Sequence, residues 1–231
     1  MANKNREFWN KEYKKPEHLA LSTEPAEDFL KFIRWLERTY GEGGILDKGS
    51  SILDLGCGNG RNLIFLCKAA GCSGVGYDIS SEAIKQAKLA SGNLPITFEA
   101  RTIEGPLDVP NESVTLALDM MTSHFLDEKG RAELLKEILR VLEPRGWLFF
   151  KSFLADEDLH AKRLLRTNPS GEKDTYIHPR IGVSEHVWTE RSFYEFFEPH
   201  FKIHQIEKSF RHILHGKAFK RRTLCAYLEK R

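Results

Sequence analysis

Three glycines at alternate positions, Gly56, Gly58 and Gly60, follow directly on the apolar run Ile52-Leu53-Asp54-Leu55 and lead into Arg61-Asn62 and a helical pattern. A backbone that must turn sharply at a strand's end and admit a ligand needs glycine wherever a Cβ would collide, so the default occupant is nucleotide-like. The spacing narrows the choice. A dinucleotide fingerprint would put glycine at position 61, where this chain has Arg61, and Asp54 sets negative charge beside the turn that a pyrophosphate would occupy. A cationic ligand suits the turn better than NAD. Further on, Gly74-Val75-Gly76-Tyr77-Asp78-Ile79-Ser80 closes a second strand on Asp78, whose carboxylate can accept both hydroxyls of a ribose. A helix-cap role for Asp78 is the rival reading, but Ser80 already offers a cap.

The elements that must hold these residues are legible from periodicity. Phe8, Trp9 and Tyr13 share one side of a short N-terminal helix, and a second helix, with Pro25 early in it, spaces Phe29, Ile33, Leu36 and Tyr40 on one face. From residue 50 strands (51–55, 74–78, 96–100, 114–119, 147–152) alternate with helices (61–70, 81–91, 129–142), the rhythm of right-handed crossovers and a parallel sheet. Residues 153–188 lose that rhythm and are too long for a structureless connection, so they are expected to form a lid. A helix at 190–197 and strands at 201–206 and 223–228 close the chain, joined by a basic stretch with His212, His215, Lys217 and Lys220. The expected fold class is α/β: a Rossmann-like three-layer sandwich, its seven-stranded, mostly parallel sheet ending in an antiparallel last strand. One domain is expected over 1–231, divided into a helical cap (1–49), a cofactor-binding core (50–152), an acceptor-side lid (153–188) and a terminal helix and hairpin (189–231).

With LDLGCGNGRN at 53–62, VGYDIS at 75–80, VTLALDMM at 114–121 and RVLEPRGWLFF at 140–150, the chain resembles a class I S-adenosylmethionine-dependent methyltransferase of the small-molecule type. The resemblance spans roughly residues 50–152. It implies the cofactor S-adenosyl-L-methionine, left as S-adenosyl-L-homocysteine, with Gly56, Cys57, Gly58, Asn59 and Gly60 lining its methionine and ribose part. By the same carry-over Asp54 sits near the ammonium group, Asp78 and Ile79 hold the ribose edge, and Asp119 and Met120 flank the sulfonium. Two positions depart from the family pattern. Arg145 stands where a turn glycine is usual, and the loop Arg101-Thr102-Ile103-Glu104 lacks the common aspartate for the adenine amine, leaving Ile103, Thr102 or Glu104 to serve.

A sulfonium methyl is already activated, so alignment with the acceptor counts most, at about 7–11 kcal/mol of barrier, while a general base adds about 100- to 10,000-fold. His124, just past the fourth strand, is the candidate base, with a plain hydrogen bond inside its loop as the alternative. Trp9 and Tyr13 are candidates to close over the ligand, helix-to-sheet packing being the rival for Trp9. Arg163, Tyr176 and His178, among the cationic and polar residues of 153–188, suggest an acceptor carrying a carboxylate or phosphate.

Composition sets outer limits. The 231 residues hold 35 Lys or Arg against 33 Asp or Glu, a formal charge of +2, which excludes a uniformly basic nucleic-acid coat and an acidic disordered tail. That total hides a tail at 200–231 of charge +7, read either as a solvated face or as an anion or RNA contact. The four cysteines, Cys57, Cys67, Cys72 and Cys225, form no CxxC pair, so free thiols are expected and no metal site. No apolar run approaches the roughly 20 residues of a membrane span, and the N-terminus lacks a secretion signal, which points to a cytoplasmic protein, monomeric or homodimeric. The reading is a methyltransferase for a small-molecule acceptor. An RNA or protein acceptor, a non-catalytic cofactor-binding protein and, more remotely, a nicotinamide oxidoreductase are the alternatives.

Overall fold

The computed structural model describes residues 2–18, 21–209, 213–214, 217–218 and 221–231. Two helices come first, α1 (Ala2–Lys14) and α2 (Glu27–Tyr40). Then follow β1 (Ser51–Leu55), α3 (Arg61–Ala70), β2 (Ser73–Asp78), α4 (Ser81–Ser91), β3 (Ile96–Ala100), β4 (Val114–Met120), a 3-10 turn at Ser123–Phe125, α5 (Glu128–Val141) and β5 (Leu142–Phe153). The remainder comprises α6 (Leu159–Thr167), β6 (Thr175–Ile177), β7 (Ser184–His186), α7 (Glu190–Phe197), β8 (Phe201–Lys208), the ribbon β9 (Ile213–Leu214) and β10 (Lys217–Ala218), and β11 (Thr223–Lys230).

The main sheet has seven strands in the order β3-β2-β1-β4-β5-β11-β8. The first five pair in parallel, and β11 runs antiparallel to both of its neighbours, β5 and β8. The chain leaves β1 towards β2 and later returns on the other side as β4. The crevice above the carboxyl ends of β1 and β4 is therefore the switch point where ligands bind in open α/β sheets.

Strand alternation makes the three layers. Leu53, Leu55, Ala117, Leu148, Phe150, Ala226 and Leu228 face one way and pack with Leu134, Leu135 and Ile138 of α5 and Phe193 and Phe197 of α7. Ile52, Leu116, Leu118, Trp147, Phe149 and Tyr227 face the other, against Phe29, Phe32, Ile33 and Leu36 of α2 and Leu63, Ile64 and Leu66 of α3. Phe32 lies stacked on Phe149 with ring centroids 5.0 Å apart. Each such fully buried apolar side chain contributes about 1.5–3 kcal/mol of burial free energy.

β5 starts five residues earlier than the apolar pattern suggests, because Leu142 pairs with Val114 before the register shifts and resumes at Leu116 and Trp147. Arg145 takes the left-handed conformation (φ 65°) inside that irregularity. The stretch 153–188 has regular structure of its own, with Tyr176 and Val187 packed against Ala161 and Leu164 of α6. Of the basic connection, His212, His215 and Lys220 lie outside the described residues, as does the side chain of Lys217.

Candidate active site

The glycine turn is held by the second strand. Gly56 and Cys57 both donate their N–H to the carbonyl of Tyr77, at 2.7 and 2.9 Å. Gly58 N–H donates to Asp78 Oδ2 at 2.9 Å and Ser80 N–H to Asp78 Oδ1 at 2.8 Å. Each carboxylate oxygen keeps a second acceptor position free. Gly58 has φ 57°, and a Cβ there would lie 2.3 Å from the phenolic oxygen of Tyr13. Gly60 plays a packing part instead: its own Cβ position is 2.7 Å from the Phe98 ring, which lets α3 settle on the sheet.

Above this turn lies a cavity of about 460 Å³, within the usual range for small-ligand pockets, about 300–1,000 Å³. Asp54, Gly56, Cys57, Gly58, Asn59, Asp78, Ile79, Ile103 and Met120 border one end. Met121, His124, Phe125, Phe153, Ile181 and Glu185 border the other. The Asp54 carboxyl is buried and has no hydrogen-bond partner among the described residues. Burial first, then the neighbouring Asp78 and Asp119, push its pKa up to about 7 against a smaller opposing effect of Arg61. Asp78 is raised by burial too, with the Ser80 and Gly58 N–H groups working the other way. An acidic recess with an unpartnered carboxylate is a site for a cation. Together with the glycine cradle and the free acceptor positions of Asp78, it fits the amino acid and ribose ends of S-adenosylmethionine.

The N-terminal segment roofs the cavity. Asn59 Nδ2 donates to Ser22 O, Arg61 Nη1 to Glu24 O, and Ala26 N–H to Asn62 Oδ1, at 2.9–3.1 Å. Gln86 Nε2 grips Tyr13 O at 2.8 Å, and Asn10 Oδ1 accepts from Ser80 Oγ at the start of α4. Trp9 borders the cavity and also meets Phe125 edge-on at 5.6 Å, so closure and packing are one contact.

Strand parity separates the two residues at the end of β4. Met120 faces the cavity, with Asn62 Nδ2 3.3 Å from its sulfur, while Asp119 points to the opposite layer and accepts the Ser123 N–H at 3.1 Å. Burial first, opposed by the Ser123 contacts, sets Asp119 at about 6. Met121 then adopts φ 59°, its N–H bonded to Lys151 O at 2.8 Å, and re-aims the chain so that the 3-10 turn presents His124. The His124 ring is buried, and neither of its nitrogens has a protein partner. Burial, then Arg221, His186 and Arg131, hold its pKa down at about 3, so the ring is neutral.

The remaining sequence candidates of 153–188 stand away from the cavity wall. Arg163 is exposed on α6, Tyr176 is buried behind the wall, and His178 accepts the Arg180 N–H at 3.3 Å in the turn before β7. The side chains that do border the cavity from this side are Phe153, Ile181 and Glu185, which belong to no motif. Phe153 alone has a sequence signal, as the residue following an apolar strand. Lys151, also on the wall, is joined to Asp28 Oδ2 at 2.5 Å.

Residues 52–146 match the family described as methyltransferase domain. Over 104 residues the chain is 39% identical to an uncharacterised 37.1 kDa protein in transposon TN4556 of Streptomyces fradiae, covering 43% of this chain and 29% of that protein. Over 113 residues it is 27% identical to a tRNA (carboxymethyluridine(34)-5-O)-methyltransferase of Arabidopsis thaliana, covering 49% of this chain and 26% of that one. The chain thus spans less than a third of the length of the curated relatives it matches. Among solved structures, a SAM-dependent methyltransferase of Methanosarcina mazei shares 25% identity at a TM-score of 0.66, over 80% of this chain and 94% of that one. The 1,6-didemethyltoxoflavin-N1-methyltransferase of Burkholderia thailandensis, solved with S-adenosylhomocysteine bound, shares the fold at a TM-score of 0.68 and 16% identity, over 99% of this chain and 88% of that one.

Proposed function

We propose that this chain is a class I S-adenosylmethionine-dependent methyltransferase and that it methylates a small molecule enclosed at the far end of the cavity. The observation that carries this reading is the roof. Trp9 and Tyr13 of α1, together with Leu21, Ser22 and Ala26 of the segment before α2, border the same cavity as Asp54 and His124. A polymer would have to displace that roof, whereas a metabolite fits beneath it.

S-adenosylmethionine, when bound, supplies a methyl on a sulfonium that is open to in-line displacement. The chain's own part is to hold and orient. Asp54 takes the ammonium group, Asp78 the ribose hydroxyls with Ile79 beside them, and Cys57, Gly58 and Asn59 the backbone approach between them. Ile103 and its loop neighbours Thr102 and Glu104 wall the base. Met120 stands where the methyl is delivered, and the aromatic roof excludes water. His124 is neutral and too weakly basic to accumulate a proton, so it directs the acceptor through a hydrogen bond. Positioning of this kind suffices for an activated methyl donor. The whole chain acts as one catalytic domain, with the N-terminal helices and 153–188 as its two covers.

The test is incubation of the purified chain with S-adenosylmethionine labelled in the methyl group and, separately, with a small-metabolite extract and with total tRNA. Label appearing in low-mass product supports the proposal. Label appearing only in RNA would replace it with the reading suggested by the Arabidopsis relative, which acts on tRNA.

A further inference from the structure

The acceptor end of the cavity has a definite chemistry. Its walls are aromatic: Trp9 meets Phe125 edge-on at 5.6 Å, and His124 meets Phe153 edge-on at 5.1 Å. Lys151, a cation beside this end, is paired with Asp28. Among the described residues, two polar groups on this wall have unused hydrogen-bonding capacity. One is the His124 ring, whose face borders the cavity and whose nitrogens are both buried and unpartnered. The other is Glu185, whose Oε2 accepts from the Tyr176 hydroxyl and from Arg221 Nη1 while Oε1 has no partner among the described residues.

Glu185 is held in place by a buried cluster. Arg221 Nη1 also donates to the Tyr176 hydroxyl, Arg221 Nε donates to Asp158 Oδ2 at 3.2 Å, and its guanidinium lies 4.1 Å over the Phe153 ring. The other oxygen of Asp158 caps α6 through the His160 and Ala161 N–H groups. One arginine, just before β11, thereby ties α6, β6 and β7 to the wall and fixes the direction of the Glu185 carboxylate. Its charge is offset by Asp158 and Glu185, while its Nη2 is buried without a partner among the described residues.

Resting on the methyl-transfer reading, we infer that the acceptor is a flat, uncharged heteroaromatic molecule whose ring N–H or O–H is bound by Glu185 and whose ring acceptor meets His124. Arg221 and Tyr176 are positioning residues for Glu185. An aromatic slot rewards a planar ring, and a desolvated carboxylate rewards a hydrogen-bond donor while repelling carboxylates and phosphates. This departs from the anionic acceptor that the cationic residues of 153–188 suggest in the sequence. Arg163 is exposed, and Arg221 is neutralised.

Ligand-observed NMR on the full chain loaded with S-adenosylhomocysteine tests the inference, using neutral benzimidazole and benzimidazole carboxylate as probes, with cofactor affinity measured on the same samples. Benzimidazole is expected to bind and its carboxylate not. Glu185→Gln and Tyr176→Phe should each weaken benzimidazole about tenfold, the loss of a charge-assisted hydrogen bond, and leave S-adenosylhomocysteine affinity unchanged. Arg221→Lys should weaken benzimidazole similarly, whereas a purely structural role would disturb both ligands. Binding of the carboxylate as tight as that of benzimidazole, or no binding of either probe to the loaded chain, overturns the inference. Failure of S-adenosylhomocysteine itself to bind would instead overturn the methyltransferase reading.

Discussion

The phenolic oxygen of Tyr13 lies 2.3 Å from where a Cβ of Gly58 would be, so the N-terminal helix and the glycine turn occupy one another's only spare space. The glycine leaves room for the roof as much as for a ligand. Gly58→Ala is therefore expected to push α1 off the cavity and to strain a φ of 57°, weakening S-adenosylhomocysteine binding tenfold or more, with folding retained. Gly58→Ala combined with Tyr13→Ala should recover part of that loss. A double-mutant cycle by calorimetry checks it, and strict additivity of the two losses would show that the residues do not couple.

Asp54 gives a pH signature. Its ordinary value is 3.8, and burial with two neighbouring aspartates raises it to about 7 in the folded chain. The native state then holds a proton that the unfolded state releases, so this group's contribution to stability is complete below about pH 4. It is lost as pH rises to about 7, at about 1.4 kcal/mol for each pH unit between the two values. Thermal melts of the cofactor-free protein should show Asp54→Asn progressively more stable than wild type across that window, by about 2–4 °C for each kcal/mol. Cofactor affinity should move the other way, rising through about pH 7 in wild type, because the carboxylate must ionise to meet the ammonium. A pH-independent affinity would remove Asp54 from that role.

His124 is buried with both nitrogens unsatisfied, an arrangement costing about 1–3 kcal/mol. His124→Leu should raise the stability of the apo protein by about 1 kcal/mol in chemical denaturation and lower turnover at least tenfold. A stability gain with undiminished turnover would make the histidine a packing residue only.

Much of the sheet is readable from sequence because its signals are local. Alternation of Leu53 with Ile52 and Asp54, or of Leu148 with Trp147 and Phe149, sets two faces whatever the tertiary context. The glycine turn and Asp78 are readable for the same reason: backbone conformation and strand-end position belong to neighbouring residues. The acceptor wall is not. Glu185, Ile181 and Lys151 reach the cavity only through the β6–β7 pairing, the strained Met121 and the clamp of Arg221 on residues far away in sequence. Asp119 shows the finer limit, since proximity at the end of β4 suggests the cavity but parity with Met120 sends it to the other layer.

Arg145 replaces a turn glycine and takes φ 65°, while its exposed side chain donates at 2.8 Å to the buried Glu229 carboxylate, which His204 also contacts. The left-handed backbone costs about 1–2 kcal/mol, a charge-assisted bond to the buried carboxylate returns about as much, and His204 keeps Glu229 partnered without it. Arg145→Gly should thus leave stability unchanged or raise it by about 1 kcal/mol in urea, without altering cofactor affinity. A marked loss of either would mean that the Arg145–Glu229 contact matters to the site.

Methyl transfer by this chain requires the cavity over β1 and β4 to hold S-adenosylmethionine through Asp54 and Asp78. Isothermal titration of the folded chain with S-adenosylmethionine and S-adenosylhomocysteine decides it. Saturable one-to-one binding in the micromolar range is predicted for both, about −8 kcal/mol, with binding weakened at least tenfold by Asp78→Ala. Absence of binding of either ligand to a chain with a cooperative thermal unfolding transition would contradict it.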